Sequence, residues 1–376
     1  MRILHLVPTL TSGGAERQLR YLAEALADRD HEVHVAYVHE GPHEGWDEMG
    51  PVTLHRIAAR SNYDPRIFCQ LVGLVKAMKP DVVQTWITQM DVLGGLACGI
   101  AGATWILREP NSKPAYLRSW KFRLREAVAG GAEAIICNSE GGQRYWREFF
   151  PRKQVCVVRN ALPLQDLERA TRVSLADLGL EAGIPIVLYA GRLVGDHTSD
   201  KNLKRLLLAA KDMQQVVDVQ MVLCGDGPQR LELERLAESI GLGARVKIMG
   251  HVAKETVWGL MKTAEVFVSV SHFEGMPNAV MEAMAIGCPL VVSDIVAHRE
   301  FLTEDMALFV PVNDVDLIAR GLLECLQYRR AARLRAESAR RKTNEWMIES
   351  MGQCYEDVYR AVVESKTRGT RSGYAK

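Results

Sequence analysis

The chain lacks any apolar run close to the roughly 18 residues that a membrane-crossing helix requires. Its opening residues, MRILHLV, read as a strand without signal-peptide anatomy, so a cytoplasmic location is expected. Charge of one sign is missing too: Lys and Arg number 47 against 46 for Asp and Glu, a net charge of +1. A nucleic-acid binder would show a strong basic excess, so that class is set aside. The eight cysteines include no C-x-x-C and follow no regular spacing. Most lie in apolar stretches, which predicts small buried hydrophobes in a reducing compartment. Metal-ligand patterns are thin. Asp28-Arg29-Asp30 and Asp314-Val315-Asp316 match D-x-D, but a three-residue pattern beside a helix end arises by chance. His31-Glu32-Val33-His34 is one residue short of H-E-x-x-H and sits on a predicted strand. No metal and no cofactor are expected.

What is present is length and rhythm. At 376 residues the chain can fill two domain cores. Strands are predicted over 3–7, 32–38, 52–57, 82–85, 104–107, 134–137 and 154–158, with amphipathic helices such as 15–28 and 66–79 between them. The pattern repeats with strands at 185–190, 219–224, 245–249, 266–270, 290–293 and 308–310. Alternating strands and helices predict parallel sheets covered on both faces. The rhythm breaks over 161–183, the expected linker. The fold class is therefore α/β, with two Rossmann-like doubly wound domains facing across a cleft. The first domain spans 1–165 and the second 166–343. Ligands of such sheets bind beyond the carboxyl ends of the strands, and each glycine motif below follows a strand.

Residues 269–293, SVSHFEGMPNAVMEAMAIGCPLVVS, carry the most chemistry. They read as a strand end, a glycine-containing loop, a helix opening at Pro277 and a second strand. Glu274 lies on the loop and Glu282 within the helix. The helix N-terminus offers N–H groups and partial positive charge beside Glu274. Two hydroxyl-seeking carboxylates beside an anion site suit a ligand that is both phosphate and sugar.

The same segment resembles glycosyltransferase family 4, retaining enzymes of the GT-B fold, through E-x7-E followed by Ala283-Met284-Ala285 and Gly287. The resemblance extends through Gly13-Gly14-Ala15-Glu16-Arg17, Ala190-Gly191-Arg192-Leu193, Lys201-Asn202, Gly225-Asp226-Gly227-Pro228 and Met249-Gly250-His251. It implies a retaining glycosyltransferase of hexosyl or N-acetylhexosaminyl type. A nucleoside diphosphate sugar would be the donor, and a glycan or polyprenyl-linked glycan the acceptor. Arg192 and Lys201 would hold the departing diphosphate and, with Glu274, form the catalytic set. Gly14, Gly191, Gly227, His251, Gly275, Met276, Pro277 and Glu282 would bind donor, with Glu282 on the ribose. Gly13, Glu16, Arg108, Glu109 and Asn111 would face the acceptor. The resemblance also implies a return helix, 344–364, crossing to the first domain, and the tail 365–376 is expected to be disordered. Two departures stand out. Arg192 and Lys201 are separated by an inserted VGDHTSD, and Arg108-Glu109-Pro110-Asn111 stands where family members often carry a histidine. Gln84 and Trp86 likewise stand where histidines are frequent.

Two aromatic, basic stretches raise a membrane surface. In 116–128, Tyr116, Trp120, Leu124 and Val128 share a helical stripe, with Arg118, Lys121, Arg123 and Arg125 around it. In 143–153, Tyr145, Trp146, Phe149 and Phe150 alternate with Arg144, Arg147, Arg152 and Lys153. The expectation is peripheral contact with an anionic membrane at its inner face; the alternative is aromatics that pack on the core. Rival activities on this fold are a nucleotide-sugar epimerase and a non-catalytic membrane-associated protein.

Overall fold

The computed structural model describes residues 1–11, 13–41, 46, 49–112, 119–196 and 199–373, and for 196, 199 and 368–373 the backbone alone. Two units emerge: Met1–Ala161 with Ile348–Lys376, and Leu162–Met347.

The first unit contains β1 (Arg2–Leu10), α1 (Gly14–Ala27), β2 (Glu32–Glu40), β3 (Thr53–Arg56), α2 (Arg66–Met78) and β4 (Val82–Trp86). Then come α3 (Ile87–Ala101), β5 (Trp105–Glu109), α4 (Trp120–Ala129), β6 (Ala134–Cys137), α5 (Glu140–Phe149) and β7 (Gln154–Val157). Its seven strands pair in the order β3-β2-β1-β4-β5-β6-β7, and every pairing is parallel. A parallel sheet must be covered on both faces. Accordingly β4 and β5 are buried throughout. On α1, Leu19, Leu22, Ala23 and Leu26 recur at helical spacing and form its buried stripe.

The second unit opens with α6 (Leu164–Arg169), inside the stretch expected to be linker, and α6 buries Leu167 in this unit's core. It continues with β8 (Ile186–Ala190), β9 (Gly195–Asp196), β10 (Ser199–Asp200), α7 (Leu203–Gln214), β11 (Gln220–Cys224), α8 (Arg230–Ser239), β12 (Val246–Gly250) and α9 (Lys254–Met261). There follow β13 (Val266–Ser269), α10 (Asn278–Ile286), β14 (Leu290–Ser293), α11 (Val296–Arg299), β15 (Leu308–Val310), α12 (Val315–Gln327) and α13 (Arg329–Lys342). The six-stranded sheet has the order β12-β11-β8-β13-β14-β15 and is parallel. The insertion between Arg192 and Lys201 forms the antiparallel pair β9–β10.

The final helix, α14 (Ile348–Gly373), packs on the first unit. Buried polar contacts fix it there. Tyr359 donates to Gln84 Oε1 at 2.5 Å, Arg108 donates to the Tyr355 hydroxyl at 3.2 Å, and Arg29 pairs with Glu356 at 2.9 Å. The helix runs beyond 364 to Gly373, over part of the tail expected to be disordered. Lys366 reaches Glu133 at 3.1 Å, and the Thr367 hydroxyl donates to the Val363 carbonyl, so the extra turns have partners. Residues 374–376 lie outside the described ones.

Candidate functional site

The loops after β8, β11 and β12 are joined backbone to backbone. Gly191 N donates to Cys224 O, Gly225 N to Gly250 O, and Leu193 N to Asp226 O, all within 2.9 Å. This explains two of the glycines. A Cβ on Gly225, whose φ is +141°, would lie 1.9 Å from the Gly191 carbonyl oxygen. A Cβ on Gly227 would lie 2.4 Å from the Leu193 oxygen. Both positions need glycine because one loop crosses another. Arg192 projects from this crossing, exposed and without an ion-pair partner among the described residues. His251 is also exposed here.

The β9–β10 hairpin returns the chain to the same edge. Lys201 N donates to Val194 O at 3.1 Å, two residues beyond Arg192. Asn202 then adopts a left-handed conformation (φ 57°) and caps α7, held by Asp200 and by the Val312 carbonyl. His272 binds the hairpin from the other side. Its backbone N donates to Asp200 O at 3.0 Å, and its ring lies 3.0 Å from the Asp200 carboxylate and 3.1 Å from Asn313 Oδ1. Sequence reasoning missed this clamp, because Asp200, His272 and Asn313 lie far from one another in the chain.

Lys201 Nζ meets the Glu274 carboxylate at 2.5 Å, with side chains 18% and 12% exposed. Burial alone would raise the Glu274 carboxyl. The Lys201 ammonium and the Ser271 hydroxyl outweigh it and hold the group below the usual carboxylate range. Behind them His298 is fully buried. Its Nδ1–H donates to Ser293 O at 2.8 Å, while the Ser293 hydroxyl donates to Ser271 O at 2.7 Å. Burial pushes the His298 imidazole down, so it is neutral at pH 7. Gly275 and Met276 are buried in the turn before α10. Pro277 occupies the cap position of α10, one residue earlier than the first-helical place expected for it, and provides no side-chain cap. Glu282 is buried on the same helix, 4% exposed. A cavity of about 670 Å³ near Val312 and Asn313 is lined by Asp294, Asp314 and Asp316. That acidic wall opposes an anion, although Val312 and Asn313 of the same lining bond Asn202 and His272.

The first-unit residues behave differently. Gly13 caps α1, and a Cβ there would lie 2.4 Å from the Glu16 carboxylate. Glu16 is buried and accepts from the Thr9 and Thr11 hydroxyls at 2.9 and 3.2 Å. Gly14 begins α1. Arg108 is buried, donates to Asn160 Oδ1 at 2.7 Å and lies 4.4 Å over the Trp86 ring. Glu109 is fully buried between Arg125, at 2.7 Å, and the Trp146 indole N–H, at 2.8 Å. Its other oxygen accepts from Asn111 N at 2.9 Å. Glu16, Arg108 and Glu109, expected to face the acceptor, are buried with polar atoms bonded within the first unit, as buried charges must be.

Arg125 needs a correction too. It is 1% exposed and pairs with Asp91 and Glu109, both at 2.7 Å, so it leaves the basic face of α4. Thr85 donates to Asp91 at 2.6 Å, and the Trp105 indole N–H donates to Thr85 at 3.0 Å. Burial raises Asp91 to about 6. Trp120 and Leu124 do face outward, at 70% and 40% exposed. Tyr145 and Trp146 of α5 are core residues, while Phe149 is exposed. Tyr116 and Arg118 lie outside the described residues.

A family model described as Glycosyltransferase Family 4 matches residues 12–166. One described as Glycosyl transferases group 1 matches residues 174–343. The lipopolysaccharide core biosynthesis glycosyltransferase LpsE of Rhizobium meliloti is 26% identical over 82% of this chain and 84% of its own. The GalNAc-alpha-(1->4)-GalNAc-alpha-(1->3)-diNAcBac-PP-undecaprenol alpha-1,4-N-acetyl-D-galactosaminyltransferase of Campylobacter jejuni is 28% identical over 76% of this chain and 77% of its own. Among solved structures, Anabaena HepE in complex with UDP and glucose superposes with a TM-score of 0.81 at 19% identity, covering 96% of this chain and 100% of that one. Two parallel-sheet units, the E-x7-E helix at a strand-end edge and the two matching models together identify the chain as a member of glycosyltransferase family 4, a glycosyltransferase with the GT-B fold.

Proposed function

We propose that the chain transfers a sugar from a nucleoside diphosphate sugar to a hydroxyl of a lipid-carried glycan, with retention at the anomeric carbon. The Lys201–Glu274 pair beside the exposed Arg192 carries this reading. Charge grows on the departing diphosphate as the glycosidic bond breaks. Fixed cations stabilise that charge without moving a proton. Arg192 offers a planar fork to two phosphate oxygens and Lys201 a compact point charge. Glu274, kept ionised, accepts from donor-sugar hydroxyls, and Glu282 accepts from the ribose. The departing phosphate takes the acceptor proton, and attack comes from the same face. The two cations carry the leaving-group charge without a divalent ion, so turnover in EDTA should equal turnover in Mg²⁺.

The relatives' names support the substrate classes, since one is a lipopolysaccharide core enzyme and another names an undecaprenol-linked acceptor. A uridine donor is favoured by the UDP held by the structural neighbour. We further propose that α4 meets an anionic lipid surface through Trp120, Leu124, Lys121 and Arg123. Tyr63, 80% exposed, extends this face, and its hydroxyl lies 3.2 Å from Lys121 Nζ.

The test is a thermal-shift panel of UDP, GDP, ADP and dTDP sugars, because a ligand bound only by the folded state raises stability. It is followed by proton NMR of the product's anomeric configuration. One sugar nucleotide should raise the melting temperature, and the product should keep the donor's configuration. An inverted product contradicts retention. Conversion of the sugar nucleotide without acceptor would indicate an epimerase instead.

A further inference from the structure

Lys201 is already occupied before any ligand arrives. Its ammonium lies 2.5 Å from Glu274, and both side chains are more than four-fifths buried. A phosphate oxygen that bonds the same ammonium at about 2.8 Å must come within about 5 Å of the Glu274 carboxylate. Two anions would then crowd the Lys201 ammonium where water is scarce, with Arg192 the other cation of that edge.

The two ligands of a transfer cycle meet this arrangement differently. A nucleoside diphosphate sugar carries a diphosphate diester, whose terminal phosphate has lost its second ionisation to the sugar. It also brings hydroxyls that can donate to Glu274. The nucleoside diphosphate left after transfer has a free terminal phosphate, with a second pKa of about 6, and so bears about one more negative charge. It brings no hydroxyl to the carboxylate. Like-charge juxtaposition at such distances costs tenfold or more in affinity.

We propose that Glu274 is a discriminator acting through Lys201: it disfavours the bare nucleoside diphosphate relative to the nucleotide sugar, and so hastens product release. The inference deepens the donor-site reading and rests on it. It concerns the difference between two ligands rather than the binding of either.

The experiment is isothermal titration of wild type, Glu274→Gln, Glu274→Asp and Lys201→Met with UDP and UDP-glucose. GDP and GDP-mannose are used if the uridine pair fails to raise the wild-type melting temperature. Glu274→Gln removes the competing anion and keeps a hydrogen-bond acceptor. It should bind UDP about tenfold more tightly and UDP-glucose no more tightly than wild type, with slower product release in stopped flow. Glu274→Asp keeps the charge and should leave UDP affinity within about threefold of wild type. Lys201→Met should lose affinity for both. If Glu274→Gln weakens UDP and UDP-glucose equally, Glu274 only holds Lys201 in place and the discriminator falls while the donor site stands. If neither nucleotide pair binds wild type, the donor-site reading falls and the inference with it.

Discussion

Two ionic clusters, one in each unit, show how the same chemistry serves opposite ends. In the first unit Arg125 lies between Asp91 and Glu109, and all three side chains are at most 1% exposed. Around them Thr85 and the Asn111 amide donate to the other two carboxylate oxygens, and the Trp146 indole shares Glu109 Oε2 with Arg125. In the second unit Lys201 and Glu274 pair as closely, yet they keep 18% and 12% exposure beside an exposed Arg192. A closed cluster saturated by protein donors can only hold the fold together. A half-open cluster with a spare cation can exchange its partner for a ligand. Burial together with saturation, rather than residue type, separates structural charges from working ones.

Breaking the closed cluster should give the largest loss of stability. Arg125→Met leaves two buried carboxylates facing each other, and urea unfolding should show about 3–5 kcal/mol lost. Lys201→Met, in the half-open cluster, should cost less, because it strands one carboxylate that keeps 12% exposure rather than two that are fully buried. Equal losses would erase the distinction. A smaller effect should appear with pH. Burial raises Asp91 from 3.8 to about 6, against the opposing pull of Arg125 and Thr85. A raised carboxyl contributes stability that is present below the unfolded value and is lost as pH rises through the folded one. Between pH 3.8 and about 6 the wild type should therefore lose stability relative to Asp91→Asn. A flat difference would mean that Asp91 remains ionised throughout.

The sequence made one half of this comparison readable and hid the other. Strand–helix alternation gave both sheets, because parallel strands must be apolar on two faces. The E-x7-E segment and its glycines marked the strand-end edge, since local turns and helix starts leave local signatures. The resemblance puts Gly227 on the donor, whereas Gly225 and Gly227 also permit loops to cross, which no local pattern reveals. Arg108, Glu109 and Arg125 were read outward because their partners (Asn160, Trp146, Asp91) are distant in sequence. Asp91 did leave a trace: it is the one residue charged at neutral pH in the apolar helix ITQMDVLGGLACGIA, a placement that requires a buried partner.

The smallest effect on stability, and a separate one on location, concerns α4. With Arg125 turned inward, Trp120, Lys121 and Arg123 remain to meet lipid. Each cation near an anionic surface adds about 1 kcal/mol. Trp120→Ala with Lys121→Glu should unfold like wild type and fail to sediment with anionic liposomes at low salt. Undiminished sedimentation of that variant would remove α4 as the contact.

On the proposed function, Arg192 and Lys201 stabilise the departing diphosphate as the glycosidic bond breaks. The most direct measurement is kcat for Arg192→Ala and Lys201→Ala, using the nucleotide sugar that stabilises wild type most, with urea unfolding of each variant alongside. Each should lose on the order of 100-fold in kcat while remaining folded. Turnover equal to wild type in both folded variants would contradict the account.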